Sequence, residues 1–179
     1  RRCGGCVSSM KSSPERALLL GLGIAALLAF FDQLSKWWVM GFLVPQAQVI
    51  TITPFFNIVS VWNRGISFGL FGGGSEANAW ILSFIALGII VGLVFWLRRV
   101  QKKVEIIAIG LVIGGAFGNV VDRLRFGAVA DFLDFHLAGY HWPAFNLADA
   151  GITIGAGLLI LDSLFCGPEK NKFKDLQKK

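Results

Sequence analysis

Charge is scarce in this chain. Of 179 residues only 16% are Asp, Glu, Lys or Arg, against 55% hydrophobic. A mean hydropathy of +0.65 excludes an ordinary soluble domain and points to several membrane spans in one domain. Cysteine is nearly missing. Cys3, Cys6 and Cys166 are an odd number placed at the chain ends, which excludes a disulfide framework. "CGGC" offers two thiolates where a structural zinc takes four ligands, so Cys3 and Cys6 are read as part of a disordered tail without assigned function. Histidine occurs only at His136 and His141. With no H-E-x-x-H motif the pair reads as exposed loop residues rather than metal ligands. Internal repeats and mid-membrane helix breaks, the marks of a carrier, are missing as well. The net charge of +6 does not point to nucleic acid, because the basic residues lie between apolar runs, where they set membrane orientation.

What is present is four apolar runs close to the roughly 20 residues that a spanning helix needs: Ala17–Leu43, Ala79–Leu97, Val104–Val121 and Ala148–Phe165. The first has no cleavage-site pattern and reads as an anchor rather than a signal peptide. Gly88, Gly92, Gly110, Gly114 and Gly115 suit close helix packing in lipid. Most of the 17 basic residues fall in the N-terminal tail, the second connection and the C-terminal tail, leaving Lys36, Arg64, Arg123 and Arg125 opposite. Positive charge stays inside, so both termini are expected in the cytoplasm, with the first and third connections outside. The expected organisation is a single membrane domain over 1–179: a flexible cytoplasmic tail over 1–15, a four-helix core over 16–165 and a basic cytoplasmic tail over 166–179.

The first outer connection, about Val44 to Asn78, is long for a loop. "AQVITITPFFNIVSVWNRG" alternates β-branched and aromatic residues with polar ones, which predicts short strands broken at Pro54, and "FGGGSEAN" reads as a flexible link. The fold class is therefore mostly α and integral to the membrane: a four-helix bundle with a small antiparallel sheet between the first two helices. That sheet is expected to lie on the membrane surface, where Phe55, Phe56 and Trp62 suit the lipid–water boundary.

The second outer connection, Val121 to Leu147, concentrates acid. It holds Asp122, Asp131 and Asp134, and Asp149 follows just inside the fourth span, together four of the eleven acidic residues of the chain. A wet loop accounts for Asp134. It accounts poorly for Asp149, since an ionisable group at membrane depth is expensive. A cap is the better structural reading there, with Asn146 as N-cap and Asp149 at the third helical position, where a carboxylate suits the helix dipole. In the chemical reading, two close carboxylates share one proton; one takes a proton from water while the other polarises a carbonyl. Asp149 and either Asp122 or Asp131 could form that pair. In the first span Asp32 and Lys36, at i and i+4, read as a buried ion pair that braces the outer end of the helix. "GISFG", Gly65 to Gly69, matches G-x-S-x-G but lacks the strand-to-helix elbow, so Ser67 reads as structural. A small proton-relaying carrier and a metal-dependent hydrolase are the competing function classes.

Five stretches together resemble the lipoprotein signal peptidase (signal peptidase II) family: "DQLSK" (Asp32–Lys36), "NRGISFG" (Asn63–Gly69), "GGAFGNVVDRL" (Gly114–Leu124), "GAVADFLDF" (Gly127–Phe135) and "WPAFNLADAGITIG" (Trp142–Gly155). The resemblance spans roughly Arg16 to Phe165. It implies an aspartyl endopeptidase of the bacterial inner membrane that needs no cofactor or metal and cuts prolipoproteins just before the diacylglyceryl-modified cysteine of the lipobox. It implies Asp131 and Asp149 as the catalytic pair, deciding against Asp122. Asn63, Gly65, Asn119, Asp122, Arg123 and Asn146 match the family's other motif positions. The partners it implies are prolipoprotein signal peptides, membrane lipids and cyclic peptide inhibitors of the globomycin type. Trp142 and Phe145 are placed where they could line a lipid groove or anchor at the interface.

Overall fold

The computed structural model describes residues 13–43, 49–65 and 76–166. Cys3, Cys6 and Ser67 lie outside them. Helix α1, Pro14–Trp38, begins with Pro in its first turn and Ser13 as N-cap, the Ser13 hydroxyl accepting from the Arg16 N–H at 3.4 Å. One π-helical turn, Val39–Leu43, follows. Strands β1, Val49–Thr53, and β2, Phe56–Asn63, flank the turn at Pro54. Helices α2, Glu76–Leu97, and α3, Lys103–Phe126, come next. Strands β3, Val129–Leu137, and β4, Tyr140–His141, lead into helix α4, Leu147–Cys166. All four α-helices are long and apolar enough to cross a membrane.

Helix α3 is the hub. Over its most apolar stretch 56% of residues are buried in the bundle, against 11% for α2, and α3 packs against α1, α2 and α4. Glycine permits this. A Cβ on Gly110 would stand 2.6 Å from the Gly21 carbonyl oxygen, and one on Gly114 would stand 2.5 Å from that of Ala25. Gly115 makes the same close approach to the Ala148 backbone of α4. Gly88 and Gly92, which the sequence groups with these, face open space. They lie on α2, whose side chains point mostly outward, as suits a helix solvated by lipid. Ala17, Ala25, Leu97, Val100, Ile106, Ile109 and Ile113 form the apolar core, at the end of the bundle away from the sheet.

The small antiparallel sheet expected from the sequence is present. Among the described residues it has four strands in the order β1-β2-β3-β4, so it draws on both outer connections rather than on the one between α1 and α2 alone. β2 pairs with β3 through Asn57↔Asp134, Val61↔Asp131 and Asn63↔Val129, with an irregularity between Ile58 and Val61. Aspartate disfavours strands, which is why "VADFLDFHL" reads as a loop by composition; pairing with β2, far away in sequence, overrides that preference. Helix α3 also runs past Val121 to Phe126, where Gly127 closes it at φ 69° and donates to the Arg123 carbonyl at 2.9 Å. Asp122 and Arg123 therefore sit on a helix, not in a connection. Phe55 and Trp62 are about half exposed; Phe56 is half-buried and packs on Phe135, ring centroids 4.7 Å apart.

Candidate active site

The polar residues of the apolar helices meet at the sheet end of the bundle. Lys36 of α1 reaches Asp32 at 2.7 Å and Asp122 of α3 at 2.8 Å, all three buried. The i, i+4 pair expected from sequence is thus one side of a triad. Two carboxylates on one ammonium leave an excess negative charge, and neutral donors answer it. The Gln33 amide donates to Asp122 at 2.7 Å, the Ala130 N–H to Asp122 at 3.2 Å, and the Ala148 N–H, in the first turn of α4, to Asp32 at 2.9 Å. Asp122 is occupied by Lys36 and these donors. Among the described residues no ion pair joins it to the adjacent Arg123: successive helical residues diverge by about 100° and do not face each other. The cluster clamps α1, α3, α4 and β3 together.

Two asparagines carry the network onward. The Asn119 carbonyl oxygen accepts from Lys36 and from the Asn146 amide, both at 3.2 Å, while the Asn119 amide donates to Asp149 at 2.8 Å. Asn146 is the N-cap of α4 as expected: its side-chain oxygen accepts from the Asp149 N–H at 2.9 Å, and Asp149 accepts back from the Asn146 N–H at 3.4 Å. The capping and chemical readings of Asp149 are not exclusive. The Asn146 side-chain amide also donates to the Asp131 carboxylate at 2.7 Å, so one residue meets both acids, Asp131 through its side chain and the Asp149 carboxylate through its backbone N–H.

Asp131 is 2% exposed on β3. Its second oxygen accepts from the Asn63 amide at 3.1 Å, and Asn63 is oriented by the Gly65 N–H on its carbonyl at 3.2 Å. Burial, and then the negative charge of Asp149, raise the Asp131 carboxyl to about 6, against the lowering pull of the two amide donors and of Lys36. Arg123 is half-buried, within the field of Asp149, Asp131 and Asp122 in that order of strength. Every candidate site residue named from the sequence, Asp32, Lys36, Asn63, Gly65, Asn119, Asp122, Arg123, Asp131, Asn146 and Asp149, comes together here.

Gln33 and Asn57 are missed by the sequence reading. The one signal for Gln33 is a polar side chain inside an apolar helix, next to Asp32. Asp134 and the histidines also depart from expectation. Asp134 is buried, not on a wet loop; it accepts from the Asn57 amide at 2.9 Å and contacts His141 Nδ1 at 2.9 Å. Burial alone would raise its carboxyl, but Asn57 and the two histidines outweigh that and hold it below the ordinary carboxylate value. His141 is exposed as expected; His136 is half-buried and stacks on it. Among the described residues no group of three or more His, Cys, Asp or Glu side chains is placed to hold a metal ion.

A four-helix membrane bundle whose polar core ends in a buried carboxylate at about 6 beside a second carboxylate has the build of a membrane aspartic peptidase. The comparisons with known proteins say which one. Residues 24–165 match the family model for signal peptidase (SPase) II. The chain is 46% identical over 149 residues to the lipoprotein signal peptidase of Burkholderia vietnamiensis (strain G4 / LMG 22486), covering 83% of this chain and 89% of that one. It is 44% identical over 147 residues to the lipoprotein signal peptidase of Rhizorhabdus wittichii (strain DSM 6014 / CCUG 31198 / JCM 15750 / NBRC 105917 / EY 4224 / RW1), covering 81% and 86%. A solved structure described as a bacterial membrane enzyme, determined by the in meso method at 2.3 Å, superposes with a TM-score of 0.73 at 30% identity, covering 89% of this chain and 94% of that one. The chain belongs to the signal peptidase II family and is an aspartic peptidase integral to the membrane.

Proposed function

We propose that this protein removes signal peptides from prolipoproteins, cutting immediately before the diacylglyceryl-modified lipobox cysteine, with Asp131 and Asp149 as its catalytic dyad. The observation that carries this reading is the joint setting of the two acids: Asp131 is raised to about 6 by burial and by Asp149, and Asn146 donates to both carboxylates, to Asp131 from its side-chain amide and to Asp149 from its backbone N–H. Carboxylates so placed hold one proton between them. The ionised acid takes a proton from water as the oxygen attacks the scissile carbonyl, and the protonated acid donates to the carbonyl oxygen. Collapse of the tetrahedral intermediate breaks the C–N bond as the proton taken from water passes to the leaving amine, and one hydroxyl of the intermediate returns its proton to the acid that donated, so the pair again holds one proton. Arg123 offsets the negative charge of the dyad. Asn119 and Asn146 fix the carboxylates, while Asp32, Lys36 and Asp122 lock the helices that carry them.

The substrate's lipid explains a site at the membrane edge. Withdrawing acyl chains costs about 0.8 kcal/mol per buried CH₂, so the cut is made where the lipidated cysteine already lies. The four-strand sheet supplies an edge on which an extended signal peptide can pair, with Trp142 and Phe145 against the lipid. Cyclic peptides of the globomycin type would compete for the same cleft, and the surrounding membrane lipids are the remaining partners. The basic bias of the tails and of the α2–α3 connection supports cytoplasmic termini in a bacterial inner membrane, with the sheet and dyad outside. The packing of α1, α2 and α4 on α3 supports reading 1–179 as one membrane domain, with a four-helix core over 16–165 between cytoplasmic tails. The test is incubation of the purified protein with lipidated and unlipidated forms of one prolipoprotein. Mass spectrometry should find a new N-terminus at the lipidated cysteine and no product from the unlipidated form. Cleavage elsewhere, or equal cleavage of both, would overturn the assignment.

A further inference from the structure

Asp131 and Asp149 sit at the two ends of one hairpin. β3 runs outward from Asp131, turns at Ala138 and Gly139, both at positive φ (50° and 84°), and returns through β4 and Trp142–Phe145 to Asn146 and α4. The return strand decides where Asn146, and behind it Asp149, stand relative to Asp131. Backbone bonds hold it at two places. Near the tip His136 pairs with His141, Leu137 with Tyr140, and the Trp142 N–H donates to the Phe135 carbonyl at 2.8 Å. Near the dyad the Leu133 N–H donates to the Phe145 carbonyl at 2.8 Å, and the Phe145 N–H donates back at 3.1 Å. Between them the ladder is broken: residues 142–144 form no strand, and Pro143 has no N–H to give.

Asp134 lies on β3 opposite this break, and side chains bridge it. Both carboxylate oxygens stand 2.9 Å from His141 Nδ1, and the Asn57 amide fastens the same carboxylate to β2 at 2.9 Å. His136 stacks on His141, ring centroids 4.8 Å apart and planes within 25°. Asp134, His136, His141 and the neutral Asn57 are the titratable and polar groups at this tie. Its Asp134 carboxylate is buried, and a buried carboxylate kept ionised by partners is costly to leave without them. The tie therefore resists slippage of the return strand just where the backbone does not.

We propose that His141, held by Asp134, is a positioning residue for the hydrolysis: it sets the register of the return strand and through it the spacing of Asp149 and Asn146 from Asp131. This rests on the dyad assignment made above. It goes beyond that assignment because neither Asp134 nor His141 touches Asp131 or Asp149. A displacement of about 1 Å at reacting groups costs up to about 100-fold in rate, so a one-bond tie in the hairpin is enough to matter.

The test compares wild type, Asp131→Asn, His141→Ala and His141→Asn on the lipidated substrate, with kcat, KM and the pH profile of kcat/KM measured for each. Asparagine keeps an N–H donor near the place of Nδ1; alanine does not. His141→Ala is expected to lower kcat by about tenfold to about 100-fold with little change in KM. Its alkaline limb, set by the free enzyme's shared proton, is expected to move to lower pH as Asp149 presses less on Asp131. His141→Asn is expected to restore both rate and limb. A hairpin staple with no positioning role would lower the melting temperature of His141→Ala while kcat per folded enzyme and the limb stay at wild type; that result overturns the proposal. Failure of His141→Asn to restore the profile while it melts like wild type also overturns it, and decides the matter should His141→Ala not fold. If wild type itself does not cut, or Asp131→Asn cuts, the dyad assignment has failed instead.

Discussion

Replacing Asp131 by Asn removes a carboxylate that the fold holds against its preference for the neutral form. Its value rises from the ordinary 3.8 to about 6, first through burial and then through Asp149. A shift of about two units corresponds to about 3 kcal/mol. Because the folded-state value is the higher one, the proton's contribution to stability is complete below about pH 4 and is lost as pH rises through about 6. Wild type therefore gives up about 3 kcal/mol at this position on going from about pH 4 to about pH 8, and Asp131→Asn does not. Against this, Asn presents one acceptor where Asp131 meets two amide donors, Asn146 and Asn63, a loss of about 1.5–3 kcal/mol. The two effects nearly cancel near neutrality, but only the first depends on pH. Equilibrium unfolding of both proteins in mixed micelles, by denaturing-detergent titration across this range, should show the difference move in favour of the variant by about 3 kcal/mol. A difference that stays constant with pH would refute the idea that Asp131 is held in an environment hostile to its charge.

Two further outcomes are expected. Lys36→Met leaves Asp32 and Asp122 buried without their cation and should cost about 3–5 kcal/mol in the same unfolding assay, with activity lost alongside; a wild-type midpoint would show that the triad does not clamp the helices. Gly114→Ala places a methyl on the Ala25 backbone of α1 and should cost about 1–3 kcal/mol, whereas Gly88→Ala faces open space and should stay within about 0.5 kcal/mol; equal effects would contradict the central placement of α3.

The helices were readable because their signal is local. A long apolar run needs no partner to be recognised, and Asn146 and Asp149 fall into the capping pattern from a single turn of sequence. What depends on distant chain was not readable. Asp122 pairs with Lys36 of another helix rather than with the adjacent Arg123. β3 exists because β2 pairs with it across most of the bundle's sequence, and its aspartates argue against a strand until Asn63 and Asn57 are seen bonded to them. Gly88 and Gly114 look alike as residues in apolar runs; only the position of α2 at the edge separates them. The family motifs marked the site residues one by one, but not the chain of contacts from Lys36 through Asn119 and Asn146 to Asp131.

The dyad itself is tested most directly by turnover of a diacylglyceryl-modified prolipoprotein with four preparations: wild type, Asp131→Asn, Asp149→Asn and the double variant, each shown to be folded. Wild type should release the signal peptide. Either single substitution should abolish turnover, and the double variant should be no worse than the singles, because two acids sharing one proton act as a unit. Turnover that survives at either single variant would contradict the assignment and give the role to another carboxylate.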